Sequence, residues 1–319
     1  MRVLVTGATG FLGGALVVRL AAEDQVDVRA ATRGAPPAGS GRVEWVAVGD
    51  LDADTDWAVA LAGVDVVVHA AARVHVMHDT ARDPLAEFRR ANVDGTLALA
   101  RQAAAAGVRR FVFVSSVKVN GERTSRGHPF RATDAPDPAD PYGMSKAEAE
   151  AGLRALAAAT GLEVVIVRPV LVYGPGVKGN FRSMMRWIRR GIPLPLAAVD
   201  NRRSLVALDN VVDLLVSCLR HPAAAGATFM VSDGDDVSTA ELLRRVAAAM
   251  GRRPRLIPVP LPLLRALGAI TGRRAPIQRL CDDLQVDIEA TRSRLGWSPP
   301  RSMDEALRAM VRMEWSDER

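Results

Sequence analysis

Over its first 170 residues the chain alternates short aliphatic runs with longer stretches in which apolar residues recur every three or four positions. The runs Arg2 to Thr6, Val26 to Thr32, Val43 to Val48, Val64 to His69, Arg110 to Ser115 and Glu163 to Arg168 read as strands. Gly14 to Ala22, Thr55 to Ala62, Pro84 to Ala106 and Tyr142 to Thr160 read as the helices between them. Strands this continuous in Val, Ile and Leu are buried on both faces, which predicts a parallel sheet wrapped by helices, an α/β fold. After Gly174-Pro175-Gly176 the pattern shifts to more Pro and Arg. The division this predicts is a sheet domain over 1–170 and a smaller mixed α/β lobe over 171–319, part of 200–230 returning to pack on the first. In that second part Asp209 and Asn210 open a helical run to Arg220, where N-capping is sufficient explanation for them. Leu261 to Ile270 is apolar apart from Arg265 and reads as a packed helix, with a surface-associated helix as the alternative.

The first strand runs into Gly7-Ala8-Thr9-Gly10-Phe11-Leu12-Gly13 and then into a helix. In this context Gly7 permits a tight turn, Gly10 lets backbone approach a pyrophosphate, and Gly13 lets helix and strand pack closely. The expected fold is therefore a Rossmann-type doubly wound sheet, its first 170 residues binding a dinucleotide. The end of the second strand discriminates between cofactors, because a carboxylate there binds a ribose 2′-hydroxyl whereas a 2′-phosphate needs a cation. Thr32 and Arg33 stand at that place, so NADP(H) is favoured over NAD(H), with Arg33 on the 2′-phosphate.

Farther on, Tyr142 and Lys146 lie four apart on a predicted helix and so share a face. A phenol ordinarily keeps its proton to about pH 10, and a neighbouring cation is the expected means of loosening it. In Arg73-Val74-His75-Val76-Met77-His78, after the fourth strand, no third ligand has metal-binding spacing. No metal site is expected there; His75 is read as touching the substrate or packing the loop.

Composition narrows the class without changing the fold. The chain has 319 residues, 49% hydrophobic and 24% charged, and a net charge of +6, ordinary values for a globular protein. With aromatics at 4% and arginines scattered along helices, the basic excess points to phosphate-bearing small molecules and away from nucleic acid. Two distant cysteines, Cys218 and Cys281, fit free thiols in the cytoplasm. No leader and no membrane span are read.

Thr6 to Gly13, Asp50-Leu51, His69 to Ala72, Asn92 to Thr96, Ser115-Ser116, Tyr142 to Lys146, Arg168-Pro169 and Val172 to Gly176 occur in that order. With these landmarks the chain resembles the extended short-chain dehydrogenase/reductase superfamily, in its nucleotide-sugar epimerase, dehydratase and reductase branch, over essentially its whole length. The resemblance implies that Gly7, Gly10, Phe11, Leu12, Asp50, Leu51, Ala70, Ala71 and Pro169 contact the dinucleotide. It implies that Ser116 and Tyr142 bond the reacting oxygen while Lys146 holds the nicotinamide ribose and lowers the tyrosine's proton affinity. It places Asn180 on the uracil or pyrophosphate and Arg202 or Arg203 on the diphosphate of a UDP-sugar; a homodimer is the superfamily's habit. Dehydratases of the branch carry Asp-Glu after the Ser/Thr, where this chain has Val117-Lys118, so dehydration is not expected. Lys118 either binds a substrate oxygen or pairs with Glu122 or Asp134. The pattern is most similar to reductases of the C4 ketone of a UDP-4-keto-6-deoxy-N-acetylhexosamine, used for bacterial surface polysaccharides. A UDP-hexose 4-epimerase is the alternative, and a non-catalytic cofactor-binding protein a remote one.

Overall fold

A computed structural model describes residues 1–35, 37, 41–74, 83–272 and 274–315. The strands are β1 (Arg2–Thr6), β2 (Asp27–Thr32), β3 (Val43–Ala47), β4 (Val66–His69), β5 (Arg110–Val114), β6 (Glu163–Pro169), β7 (Leu171–Tyr173), β8 (Leu205–Ala207) and β9 (Thr228–Val231). Seven form one sheet in the order β3-β2-β1-β4-β5-β6-β9, parallel throughout. The six strands expected from the aliphatic runs are all present, their ends within two residues of expectation.

Alternation along the strands divides the core. Val3, Val5, Val66, Val68, Val112, Val114, Val165 and Val167 pack on one side with α1 (Phe11–Ala21), α7 (Leu208–Arg220) and α11 (Glu289–Leu295). Leu4, Val67, Phe111, Phe113, Val164 and Ile166 pack on the other with α2 (Ala58–Leu61), α4 (Thr96–Ala105) and α5 (Pro141–Thr160). Helices on both faces of a parallel sheet confirm the doubly wound Rossmann-type α/β architecture.

Two helical expectations are corrected. The run Thr55 to Ala62 shrinks to the single turn of α2, and the stretch Pro84 to Ala106 is not one α-helix. It starts as α3 (Pro84–Arg89), passes through a π-turn at Arg90–Gly95 and resumes as α4. The wider turn lets Asn92 face inward. Its side chain accepts from Arg73 N (2.8 Å) and donates to Arg73 O and to Ser145 Oγ (both 3.0 Å). Apolar periodicity carries no trace of such a bond, because the partner lies in another part of the chain.

Helix α5 begins at Pro141 behind the N-cap Asp140, whose carboxylate accepts from Gly143 N at 2.7 Å, and ends at Gly161 with φ 76°. The remaining helices, α6 (Gly179–Arg189), α8 (Thr239–Ala249), α9 (Leu261–Ile270), α10 (Arg274–Cys281) and α12 (Met303–Trp315), join the β7–β8 pair in the later part of the chain. Tyr173, Phe181, Met185, Leu243, Leu307 and Met310 are buried together there. The capping role expected for Asp209 and Asn210 is replaced by another. Ala207 is the N-cap, Asp209 pairs with Arg301 at 3.0 Å, and buried Asn210 donates to Asp233 (2.7 Å) and to Arg301 O (2.8 Å). Both cysteines are free and buried.

Candidate active site

The predicted cofactor residues collect along the carboxyl edge of the sheet because each follows the end of a strand: Gly7 after β1, Arg33 after β2, Asp50 and Leu51 beyond β3, Ala70 and Ala71 after β4, Pro169 closing β6. Strand order reverses between β1 and β4, and the crevice beyond such a reversal is where open α/β sheets take ligands. The turn that fills this place requires glycine. Gly7 has φ 67°, and a Cβ on it would lie 2.7 Å from Ala71 N; a Cβ on Gly13 would lie 2.2 Å from Gly7 O. Gly10 is exposed and no side chain caps α1, whose first turn contains no carboxylate. Phe11 and Leu12 stand in that first turn, so its backbone amides are available to an anion. These residues fit a dinucleotide diphosphate. At the outer end of the edge the exposed Arg33 reaches Asp50 at 3.7 Å.

Ser116 follows β5 and accepts from Lys118 N at 3.2 Å, opening the turn Val117–Val119. Tyr142, in the first turn of α5, is partly buried and lies near the Ser116 side chain. Its ring meets Phe88 edge-on, centroids 6.1 Å apart, and the Arg73 guanidinium lies 5.6 Å from the Phe88 centroid. Lys146, one turn on, is 2% exposed, donates to Val114 O at 2.8 Å and sits 4.4 Å from the Phe113 ring centroid.

The protein's own groups do not loosen the Tyr142 proton as expected. Burial, reinforced by the Asp140 carboxylate, pushes the phenol up to about 12, and the nearby Ser116 hydroxyl is the one influence in the other direction. Burial takes Lys146 down to about 7, opposed by Glu150. The physical reason is that desolvation disfavours both charged forms and outweighs the partners each has within the protein. Below them Glu150, fully buried, receives Arg168 through both oxygens (2.8 and 2.6 Å) and Ser115 Oγ at 2.6 Å. Burial with Lys146 nearby holds His69 down to about 3, hence neutral, between Thr6 Oγ1 (2.7 Å) and Thr96 Oγ1 (2.9 Å).

Of the residues expected around a substrate, Lys118 bonds Glu122 at 3.1 Å and also Asp140, the cap of α5; Asp134 is not its partner. Arg279 reaches the same Glu122 at 3.7 Å, so α10 is tied to the Lys118 turn. Asn180 is exposed in the first turn of α6, and Arg202 is exposed with no side-chain partner among the described residues. Arg203 donates to Arg279 O (2.7 Å) and Asp282 O (3.2 Å), a structural use of its guanidinium. His75 and His78 lie outside the described residues. A cavity of about 610 Å³ is lined by Arg123, Arg126, Asp200, Arg265, Asp282 and Asp283 among others, and by none of the predicted site residues. Arg126 pairs with Asp200 and Asp283, and Arg265 with Asp282, which makes it a solvated ionic cleft. Sequence reading passed over Phe88, Asp140 and Glu150; only Asp140 carried a signal, as the Asp-Pro that opens a helix.

The model of the NAD dependent epimerase/dehydratase family matches residues 3–232. A UDP-glucose 4-epimerase of Vibrio cholerae is 47% identical over 307 residues, 96% of this chain and 93% of that protein. The solved structure of MoeE5 in complex with UDP-glucuronic acid and NAD is 27% identical, with TM-score 0.78 and 99% of both chains covered. A UDP-glucuronic acid 4-epimerase from Bacillus cereus in complex with NAD, at 19% identity, shares the fold with TM-score 0.80 over all of both chains. A family match across the whole sheet, from β1 to the end of β9, joined by a relative that shares nearly half of all positions, makes this chain a member of the NAD dependent epimerase/dehydratase family.

Proposed function

We propose that the protein is a 4-epimerase of a UDP-hexose. The observation that carries the reading is the placement of Tyr142, beside the Ser116 side chain, in the first turn of α5 at the carboxyl edge of the sheet with Lys146 one turn away; the 47% identity to a UDP-glucose 4-epimerase favours the substrate. Bound at the glycine turn, the dinucleotide supplies the acceptor and donor of hydride. Once its own proton has been given up to solvent, which the positive charge of an oxidised dinucleotide bound nearby would favour, Tyr142 takes the proton of the C4 hydroxyl on oxidation and returns it to the same oxygen on reduction, a general acid/base step worth ~10²–10⁴ in rate. Ser116 fixes that oxygen, and Lys146, one helical turn from Tyr142, holds the ribose. Val117 is buried, and Lys118 is engaged by two carboxylates, so neither serves as the acid and base that elimination of water needs.

A second reading is the reductase of a UDP-4-keto-6-deoxy-N-acetylhexosamine, with NADPH as hydride source. Two observations favour it: Arg33 is exposed where a 2′-phosphate would lie, and the protein's groups hold Tyr142 as the proton-bearing acid that a ketone oxygen requires.

An epimerase regenerates its dinucleotide every turnover and retains it, whereas a reductase releases it. The purified protein is denatured to measure retained dinucleotide, then assayed with UDP-glucose and UDP-N-acetylglucosamine, and separately with NADPH and the 4-keto sugar. Interconversion of 4-epimers that falls by ~10²-fold or more in Tyr142→Phe supports the first reading. Stoichiometric NADPH oxidation without epimerisation replaces it with the second.

A further inference from the structure

Helix α9 turns its apolar side to water. Only Leu264 and Gly268 of the helix are buried, one turn apart, Leu264 packing with Val199 and Cys281. Leu263, Leu267 and Ile270 are 53%, 46% and 82% exposed, and their spacing of four and three residues places them in one stripe along the helix. Pro262, Ala266 and Ala269 are exposed beside them, and Arg265 is the helix's only charged residue.

The surrounding sequence is one-sided in charge. Between Glu241 and Asp282 there are nine arginines and no Asp, Glu or Lys. Arg252, Arg253 and Arg255, just before α9, are exposed and have no carboxylate partner among the described residues. Ile257, 48% exposed, follows them. An exposed apolar stripe preceded within a few residues by unneutralised cations is the composition of a helix that lies in a lipid headgroup layer. Two copies meeting through this patch about a twofold axis would oppose like charges, whereas an anionic lipid surface complements them.

We infer that α9, with Arg252, Arg253 and Arg255, docks the protein on an anionic membrane surface, the Leu263–Leu267–Ile270 stripe entering the headgroup boundary. No described helix is long and apolar enough to cross a membrane, so the contact is peripheral. It concerns a face built separately from Tyr142, and it stands whichever sugar nucleotide the active site takes.

The test is co-sedimentation of the full chain with vesicles of phosphatidylcholine alone and of phosphatidylcholine mixed with phosphatidylglycerol. Binding is expected at least ~10-fold stronger with phosphatidylglycerol and weakened by high salt. Leu267→Asp and Ile270→Asp, both at exposed sites, are expected to cut it ~10-fold while leaving turnover of a water-soluble sugar nucleotide unchanged. Absence of wild-type binding, equal binding to both vesicles, or full binding by both variants overturns the proposal. So does a stable dimer in light scattering that Ile270→Asp splits, which would make the stripe a subunit interface.

Discussion

Tyr142 and Lys146 were legible because their spacing is local: four positions on a helix, in a chain that opens with a glycine turn. Their proton affinities were not, because burial sets them and burial is contributed by residues far apart in sequence. An unfolded lysine keeps its proton up to 10.5, whereas folded Lys146 releases it near 7. Between these values the unfolded state binds one proton more, so raising the pH across that window stabilises the fold. Tyr142 acts in the opposite sense above pH 10, where the folded state retains the proton longer. Comparing urea midpoints of the dinucleotide-stripped wild type and Lys146→Met from pH 7 to 10 isolates the lysine. The wild type is expected to gain stability relative to the variant as pH rises; parallel curves would show that Lys146 is not desolvated as described. Glu150 escaped the sequence reading for a similar reason. It follows Lys146 by one helical turn and looks like any solvated helix carboxylate, yet its partner Arg168 approaches from β6.

At the level of elements, the strands could be read almost to their ends, since continuous aliphatic runs admit no other environment. The break in the helical stretch after Pro84 could not, since the π-turn exists to serve a contact with the loop beyond β4. Asn92 satisfies both backbone groups of Arg73 and bonds Ser145, whose hydroxyl donates to Tyr142 O at 2.8 Å. Asn92→Ala would strand these groups in a buried setting, where an unmet partner costs about 1–3 kcal/mol. A fall of about 2 kcal/mol in urea-derived stability is expected. A loss no larger than that of a surface substitution would remove the π-turn from any structural role. Lys118 shows the same limit: either reading of it was open from sequence, and the structure places two carboxylates around it.

For the molecule as a whole, the change of composition after Gly174-Pro175-Gly176 marks where the sheet is left, but not what the sheet still lacks. Chain from beyond that point forms α7, which buries Val211, Leu214 and Leu215 against the sheet, and β9, which pairs with β6 from Ile166 to Pro169. A protein ending at residue 170 is therefore expected to show no cooperative urea transition, although it contains the glycine turn, Ser116, Tyr142 and Lys146. A sigmoidal transition in that fragment, followed by circular dichroism, would show that the first six strands are self-sufficient.

The late arrival of β9 has a consequence for how the protein is made. While a ribosome delivers the segment from β7 to α7, the outer edge of β6 is already available and its hydrogen-bonding groups are uncovered. An aliphatic strand waiting in that condition is a template for pairing with another chain. The nascent polypeptide thus passes through an interval of adhesive risk that closes only when Thr228–Val231 emerges. Slowing translation across the intervening lobe should lengthen that interval and raise the aggregated fraction.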